Sequence, residues 1–361
     1  MTLRDSVRSF PILASVGALC ALAGCGASPR PRLASASARE VELSPNLRSA
    51  LELFPSAEAA AIRTWPGFWE HTCGLVLADS GGLALLFRSS RYPGANQHGN
   101  SATARNTVAA LCPPTTWHPI PNEQLHRSLH GRVYWERDSV LARGSGLFMD
   151  YIAGGTPAVA VRGRTTATTL LEFGFHEAFH GFQERVFTGR EGSEIVPDEL
   201  IRNTAFIAAT ERERTMLVRL LSSPASPRCA MASDFLAARG RRLSDTSIAR
   251  IESQIERSEG TAQLISAAVV AAGERAAADI VMRDSIISLL QRPLSAYPSG
   301  MNRTWPLMRW RLYGTGAALG LVLDSLDSDW KKKVESGRSL DSVLAAAVQL
   351  CALVNPEQRR P

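Results

Sequence analysis

The residues best able to do chemistry stand together in Phe175-His176-Glu177-Ala178-Phe179-His180. Residues four apart on an α-helix share a face, so His176 and His180 can offer two imidazole nitrogens to one cation. Glu177 sits one step around the helix and can reach a water held by that cation. A divalent metal lowers the pKa of such a water and the carboxylate takes its proton. This is the chemistry of metal-assisted hydrolysis, with one zinc per chain as the expected cofactor. The competing reading is a buried helix whose two histidines satisfy core hydrogen bonds.

A metal centre needs a third ligand. His180 is followed by Gly181-Phe182-Gln183-Glu184-Arg185-Val186, without the further G-x-x-H of the metzincin pattern, and no histidine follows His180. A third protein ligand is therefore expected to be acidic and to come from a later helix. Glu259 lies 79 residues beyond His180, in Glu256-Arg257-Ser258-Glu259-Gly260-Thr261-Ala262-Gln263, where Gly260 and Ala262 would let its helix approach the histidine helix closely. Glu211 and Glu213, in Thr210-Glu211-Arg212-Glu213-Arg214, are nearer in the chain, but their arginine neighbours read as a solvated helix face. Water or another group is the remaining alternative.

The H-E-x-x-H motif followed by Glu259-Gly260-Thr261-Ala262 resembles the gluzincin metallopeptidases, over roughly residues 165–263. The resemblance implies a zincin-like fold in which a small sheet is followed by the histidine helix and then by a helix bearing the glutamate. It implies a peptide or protein substrate, His176, His180 and Glu259 as metal ligands, and Glu177 as general base. The surroundings of the third ligand depart from the thermolysin-like and aminopeptidase-like patterns, so no substrate preference carries over.

A hydrolase also needs a donor for the developing oxyanion. Tyr313, in Arg309-Trp310-Arg311-Leu312-Tyr313-Gly314, is the candidate, with Arg311 as a second, and a core tyrosine as the plain alternative. His126 and His130 are also four apart, but lack an adjacent acid and read as surface residues. Nothing supports a Ser-His-Asp arrangement, and Gly144-x-Gly146 and Gly154-Gly155 follow no dinucleotide pattern.

The elements that must position these groups are legible as patterns. Thr169-x-x-Glu172 matches a capping box and Gly189 a helix stop, predicting a helix over 168–187 that is apolar on most sides and so buried. Helical spacing recurs at 46–63, 198–221, 230–240, 246–292, 308–326 and 339–352. Short apolar runs at 75–78 and 83–87, joined by Asp79-Ser80-Gly81-Gly82, predict a hairpin, whose edge is a place for an extended substrate to add as a strand. Further strand-like runs lie at 131–135, 147–152 and 158–161, and 92–122 reads as a long loop. Strands followed by helices predict an α+β, helix-rich fold. It divides into a β-containing lobe over 45–164 and a helical lobe over 165–361, together one integrated catalytic domain.

Composition narrows the class. The 361 residues carry a net charge of +6, with 45% hydrophobic and 20% charged residues, which excludes fibrous and wholly disordered chains. The three lysines are Lys331, Lys332 and Lys333, and the other 37 basic residues are arginines scattered among acids. No basic stripe is interleaved with aromatics, so nucleic acid is not an expected partner. The lysine run reads as a solvated helix face with an option on anionic head groups.

The amino terminus reads as an address. Arg4 and Arg8 precede an apolar run from Phe10 to Ala21 that ends in Leu22-Ala23-Gly24-Cys25. This resembles the lipobox of bacterial lipoproteins, and the resemblance implies a signal peptide over 1–24 and lipid on Cys25. That would hold the protein on a membrane of the cell envelope, the outer membrane being favoured by Gly26. A plain secretory signal is the alternative. Residues 25–44 read as a flexible tether. An exported chain permits disulfides, and proximity along the chain favours Cys73–Cys112 and Cys229–Cys351. The reading is a membrane-tethered zinc metallopeptidase, with a non-catalytic metal-binding or envelope-assembly lipoprotein as the alternative.

Overall fold

The computed structural model describes residues 41–89, 115–143, 148–153, 155–162, 166–189, 200, 203–224, 227–274, 277–292, 294 and 309–354. The signal segment, Cys25, most of the tether and most of the 92–122 loop lie outside them. From Val41 onward the chain forms one compact unit.

Helix α1 (Pro45–Thr64) opens the domain, with Pro45 in its first turn where a missing N–H costs nothing. A mixed sheet follows, built from β1 (Gly74–Ala78), β2 (Leu83–Arg88), β3 (His118–Pro119), β4 (Val133–Arg137), β5 (Phe148–Ala153) and β6 (Thr156–Arg162), with the short helix α2 (Ser139–Arg143) before β5. The predicted β1–β2 hairpin forms, with Leu77 opposite Leu85. Its turn is closed by Asp79, whose Oδ1 accepts from Gly81 N at 2.9 Å and Leu83 N at 3.1 Å, and by Gly82 at φ 78°.

The strand order is β3-β4-β2-β1-β6-β5. β1 runs parallel to β6, with Leu75 opposite Val159, and every other pairing is antiparallel. The hairpin is therefore central, and neither of its strands has a free edge for a substrate. This corrects the sequence expectation, which could see the turn but not the distant partners. Among the described residues β5 and the two-residue β3 are the edges. Both faces of β1 are covered, which explains why it is apolar throughout. Leu75 and Leu77 face the main core, while Val76 and Ala78 face a smaller one closed by Trp117 and Leu141.

The helical half comprises α3 (Ala167–Val186), α4 (Thr204–Ser222), α5 (Arg228–Arg242), α6 (Thr246–Ile255), a π-helical turn (Glu256–Gly260), α7 (Thr261–Ala271), α8 (Ala278–Gln291), α9 (Arg311–Leu326), α10 (Trp330–Glu335) and α11 (Leu340–Val354). The expected continuous helix over 246–292 is thus broken twice, at the π turn and after Ala271. The fold is helix-rich α+β, as expected. The two lobes are not separate, because α1 packs on both α3 and α7. Helix α3 lies at the centre, against β1 and β6 on one side and α7 on the other.

Cys229 is bonded to Cys351, tying the start of α5 to α11. Cys73 is also disulfide-bonded, and its expected partner Cys112 lies outside the described residues. No described helix is long and apolar enough to cross a membrane. Lys331 and Lys333 pair with Asp324 and Asp327, each at 2.5 Å, so two of the three lysines are already neutralised by their own chain.

Candidate metal centre

Helix α3 begins at Thr166, whose hydroxyl accepts from Thr169 N at 3.2 Å. The cap is thus one turn earlier than the capping box predicted, and Thr169 is the residue being capped. Behind the histidines stands an aromatic wall. The Phe175 ring lies 5.0 Å from Trp69 and 5.5 Å from Phe54, and that of Phe179 lies 5.1 Å from Trp65. Packing of this density fixes the helix in rotation as well as in position.

His176 and His180 present their rings to the other side, centroids 4.9 Å apart. Glu259 meets them. Its Oε2 lies 3.3 Å from Nε2 of His176 and 3.3 Å from Nε2 of His180. Ligand atoms of the three side chains fall within 4.8 Å of one another, close enough to hold one metal ion. His176 and Glu259 are buried and His180 is half-buried. Glu259 was one of two acidic candidates in the sequence. The other pair is elsewhere: Glu211 binds Arg214 at 2.9 Å and Glu213 binds Arg242 at 2.6 Å.

The outer contacts set which nitrogen is free. Gln183 donates from Nε2 to Ser258 O and to Thr261 Oγ1, both at 2.8 Å. Its Oε1 must then accept from His180 Nδ1, at 2.8 Å, which leaves Nε2 to ligate. Ser266 Oγ, 3.1 Å from His176 Nδ1, plays the matching part. Arg257 braces the same junction, donating to Val334 O at 3.0 Å, Thr188 O at 2.6 Å and Gly189 O at 3.2 Å.

Burial lowers the pKa of His176, which favours the neutral imidazole a metal requires. Burial also works against charge on His180, but hydrogen bonds to Glu259 and Gln183 and the nearby charges of Glu259 and Glu177 outweigh it and raise its pKa. Glu177 is half-buried. Burial would raise the Glu259 carboxyl, yet the two histidines hold it well below the usual carboxylate range.

The π turn decides where Glu259 points. In an unbroken α-helix Glu252, Glu256 and Glu259 would share a face, being spaced i, i+4, i+7. Glu252 and Glu256 do face one way, into a buried cluster of arginines. Arg242 bonds Glu252 at 2.7 Å, Arg311 bonds Glu252, and Arg239 bonds Glu256 and, at 2.7 Å, Asp341. Glu213 belongs to this buried cluster and not to a solvated face, contrary to the sequence expectation. Arg311 belongs to it too, so it faces away from His176, His180 and Glu259. The wide turn swings Glu259 off that stripe and onto the histidines.

Gly260 has a different role from the one expected. It does not bring its helix to the histidine helix; it meets Gly316 of α9. A Cβ on Gly316 would lie 2.5 Å from Glu256 O and 2.7 Å from Gly260 Cα, so two backbones touch here. Gly316→Ala is expected to cost about 1–3 kcal/mol, because only backbone movement makes room. Gly240→Ala, in α5 with nothing within 4 Å of the added atom, should be neutral or stabilising. Urea denaturation midpoints of the two variants check both signs.

This crossing brings Tyr313 to the site. Its ring stacks on His176 at 5.8 Å between centroids and 8° between planes. Burial, then the Glu259 charge, pushes its pKa well up, so it stays a protonated donor. Arg309, which the sequence did not single out, lies 2.5 Å from Glu259 Oε1 and also engages Tyr313. Tyr313 is four positions after Arg309, about one helical turn, and that spacing was the available signal. His126 and His130 stay outside: His126 bonds Ser128 Oγ at 2.8 Å and His130 bonds Leu125 O at 3.3 Å.

No protein-family model, no curated protein and no solved structure matches the chain.

Proposed function

We propose that this chain is a zinc-dependent peptide-bond hydrolase built on a zincin-like arrangement of sheet, histidine helix and glutamate-bearing helix. One observation carries the reading. Glu259 reaches across from a later helix to place one oxygen 3.3 Å from Nε2 of both histidines of the H-E-x-x-H motif. Two imidazoles and one carboxylate are the donor set of a catalytic zinc with an open position. When bound, the cation would supply a water of lowered pKa and polarise a carbonyl.

The protein's own residues supply the rest. Glu177, beside His180, accepts the proton of the attacking water and can hand it to the leaving nitrogen. Tyr313, kept protonated by burial, donates to the developing oxyanion. Ser266 and Gln183 hold the two ligand rings. An extended peptide has the β5 edge available to it among the described residues. Attachment through lipid on Cys25 would place this activity at a membrane of the cell envelope.

The test is metal content. The purified chain should bind about one zinc, and His176→Ala should lower affinity by more than the roughly 10–100-fold typical of changes outside the ligand set. A folded wild-type chain that binds no zinc when dialysed against it would overturn the proposal.

A further inference from the structure

The two oxygens of Glu259 have different partners. Oε2 faces His176 and His180, 3.3 Å from each. Oε1 accepts from Nη2 of Arg309 at 2.5 Å. The glutamate side chain is 9% exposed and that of Arg309 26%, so the pair is shielded on the glutamate side. A guanidinium–carboxylate hydrogen bond is charge-assisted and directional, and the guanidinium keeps its proton at any working pH. The same guanidinium engages Tyr313, which fixes it from the other end.

We propose that Arg309 is a positioning residue of the metal centre. By occupying Oε1 it makes Glu259 a one-oxygen ligand and keeps the fourth coordination place for water. This rests on the metal reading above. A carboxylate with both oxygens free can grip a cation with both, and here that would raise the coordination number to five. Arg309 also cancels the one negative charge among the three ligands, so a bound cation keeps more of its pull on water.

Cobalt(II) loaded into the full chain reports coordination directly, because four-coordinate cobalt absorbs visible light several-fold more strongly than five-coordinate cobalt. The wild-type chain should show the strong band. Arg309→Met should bind cobalt with the band reduced several-fold, and Arg309→Lys should recover most of it, since an ammonium can still hold Oε1. An unchanged band in Arg309→Met overturns the proposal. X-ray absorption of the wild-type chain needs no variant: four nearest neighbours support the assignment and five overturn it. A wild-type chain that takes up neither cobalt nor zinc overturns the metal reading itself, an outcome distinct from a metal site of the wrong coordination.

Discussion

Glu177→Gln should leave zinc binding intact and lower peptide hydrolysis by about 10²–10⁴-fold, the range that a positioned proton acceptor contributes. The amide keeps the shape of the side chain but exchanges one acceptor oxygen for a donor and cannot take a proton. Glu177 is not among the three side chains that converge on one point, so metal content and turnover separate its role from theirs. Hydrolysis of a mixed peptide library by the zinc-loaded chain, followed by mass spectrometry, gives the rate ratio. Equal rates in the two proteins would remove Glu177 from the chemistry, while loss of zinc in the variant would make it a ligand.

Glu256→Gln should flatten the pH dependence of stability. Glu213, Glu252, Glu256 and Asp341 face Arg239, Arg242 and Arg311 in one cluster, four carboxyls against three guanidiniums. Burial pushes Glu256 up to about 8, against the pull of Arg239 and with the help of Asp341 and Glu252. Glu252 goes the other way: although burial opposes it, Arg311 and Arg242 hold it down at about 2. The spare proton of the cluster therefore sits on Glu256. Its Oε1, which has no hydrogen-bond partner, is where a negative charge would cost most.

The sign follows from proton counting. Between the ordinary glutamate value of 4.5 and about 8, the folded chain holds a proton on Glu256 that the unfolded chain has released. Stability therefore falls as pH rises through that window and levels off above it. A displacement of this size corresponds to about 3–5 kcal/mol at 1.36 kcal/mol per unit. The Gln variant carries no proton to lose, so urea denaturation at pH 5 and pH 8.5 should differ far less than in the wild type. An equal slope in both proteins would place the proton elsewhere.

The local parts of this molecule were readable in its sequence. The H-E-x-x-H helix, expected over 168–187, runs Ala167–Val186, and the Asp79–Gly82 turn makes the hairpin it promised. What escaped reading depends on partners far along the chain. The parallel pairing of β1 with β6 spans about 80 residues, so the hairpin looked like an edge and is central. Glu213 has arginine neighbours in sequence, which suggested solvent. Its arginine partners in space are Arg239 and Arg242, and the group is buried. Arg309 and Arg311 are two residues apart and diverge, one to Glu259 and one to the buried cluster. That spacing turns a helix by more than half a revolution, and nothing in the residue types says which of the two faces the site. Glu259 was reached through its glycine and alanine neighbours, although Gly260 serves the α9 crossing and not the histidine helix.

The π turn at Glu256–Gly260 also bears on how this segment could have arisen and how it can change. Its surplus residue sets the phase of everything on one side against everything on the other. Glu252 and Glu256 are keyed to Arg239, Arg242 and Arg311, and Glu259 to His176 and His180. Losing one residue there would restore an even helical period and turn one set of partners away. Gaining one would displace the other set. A change in the length of this stretch therefore disturbs both sets of partners at once. The spacing between Glu256 and Glu259 thus carries information that neither residue carries alone.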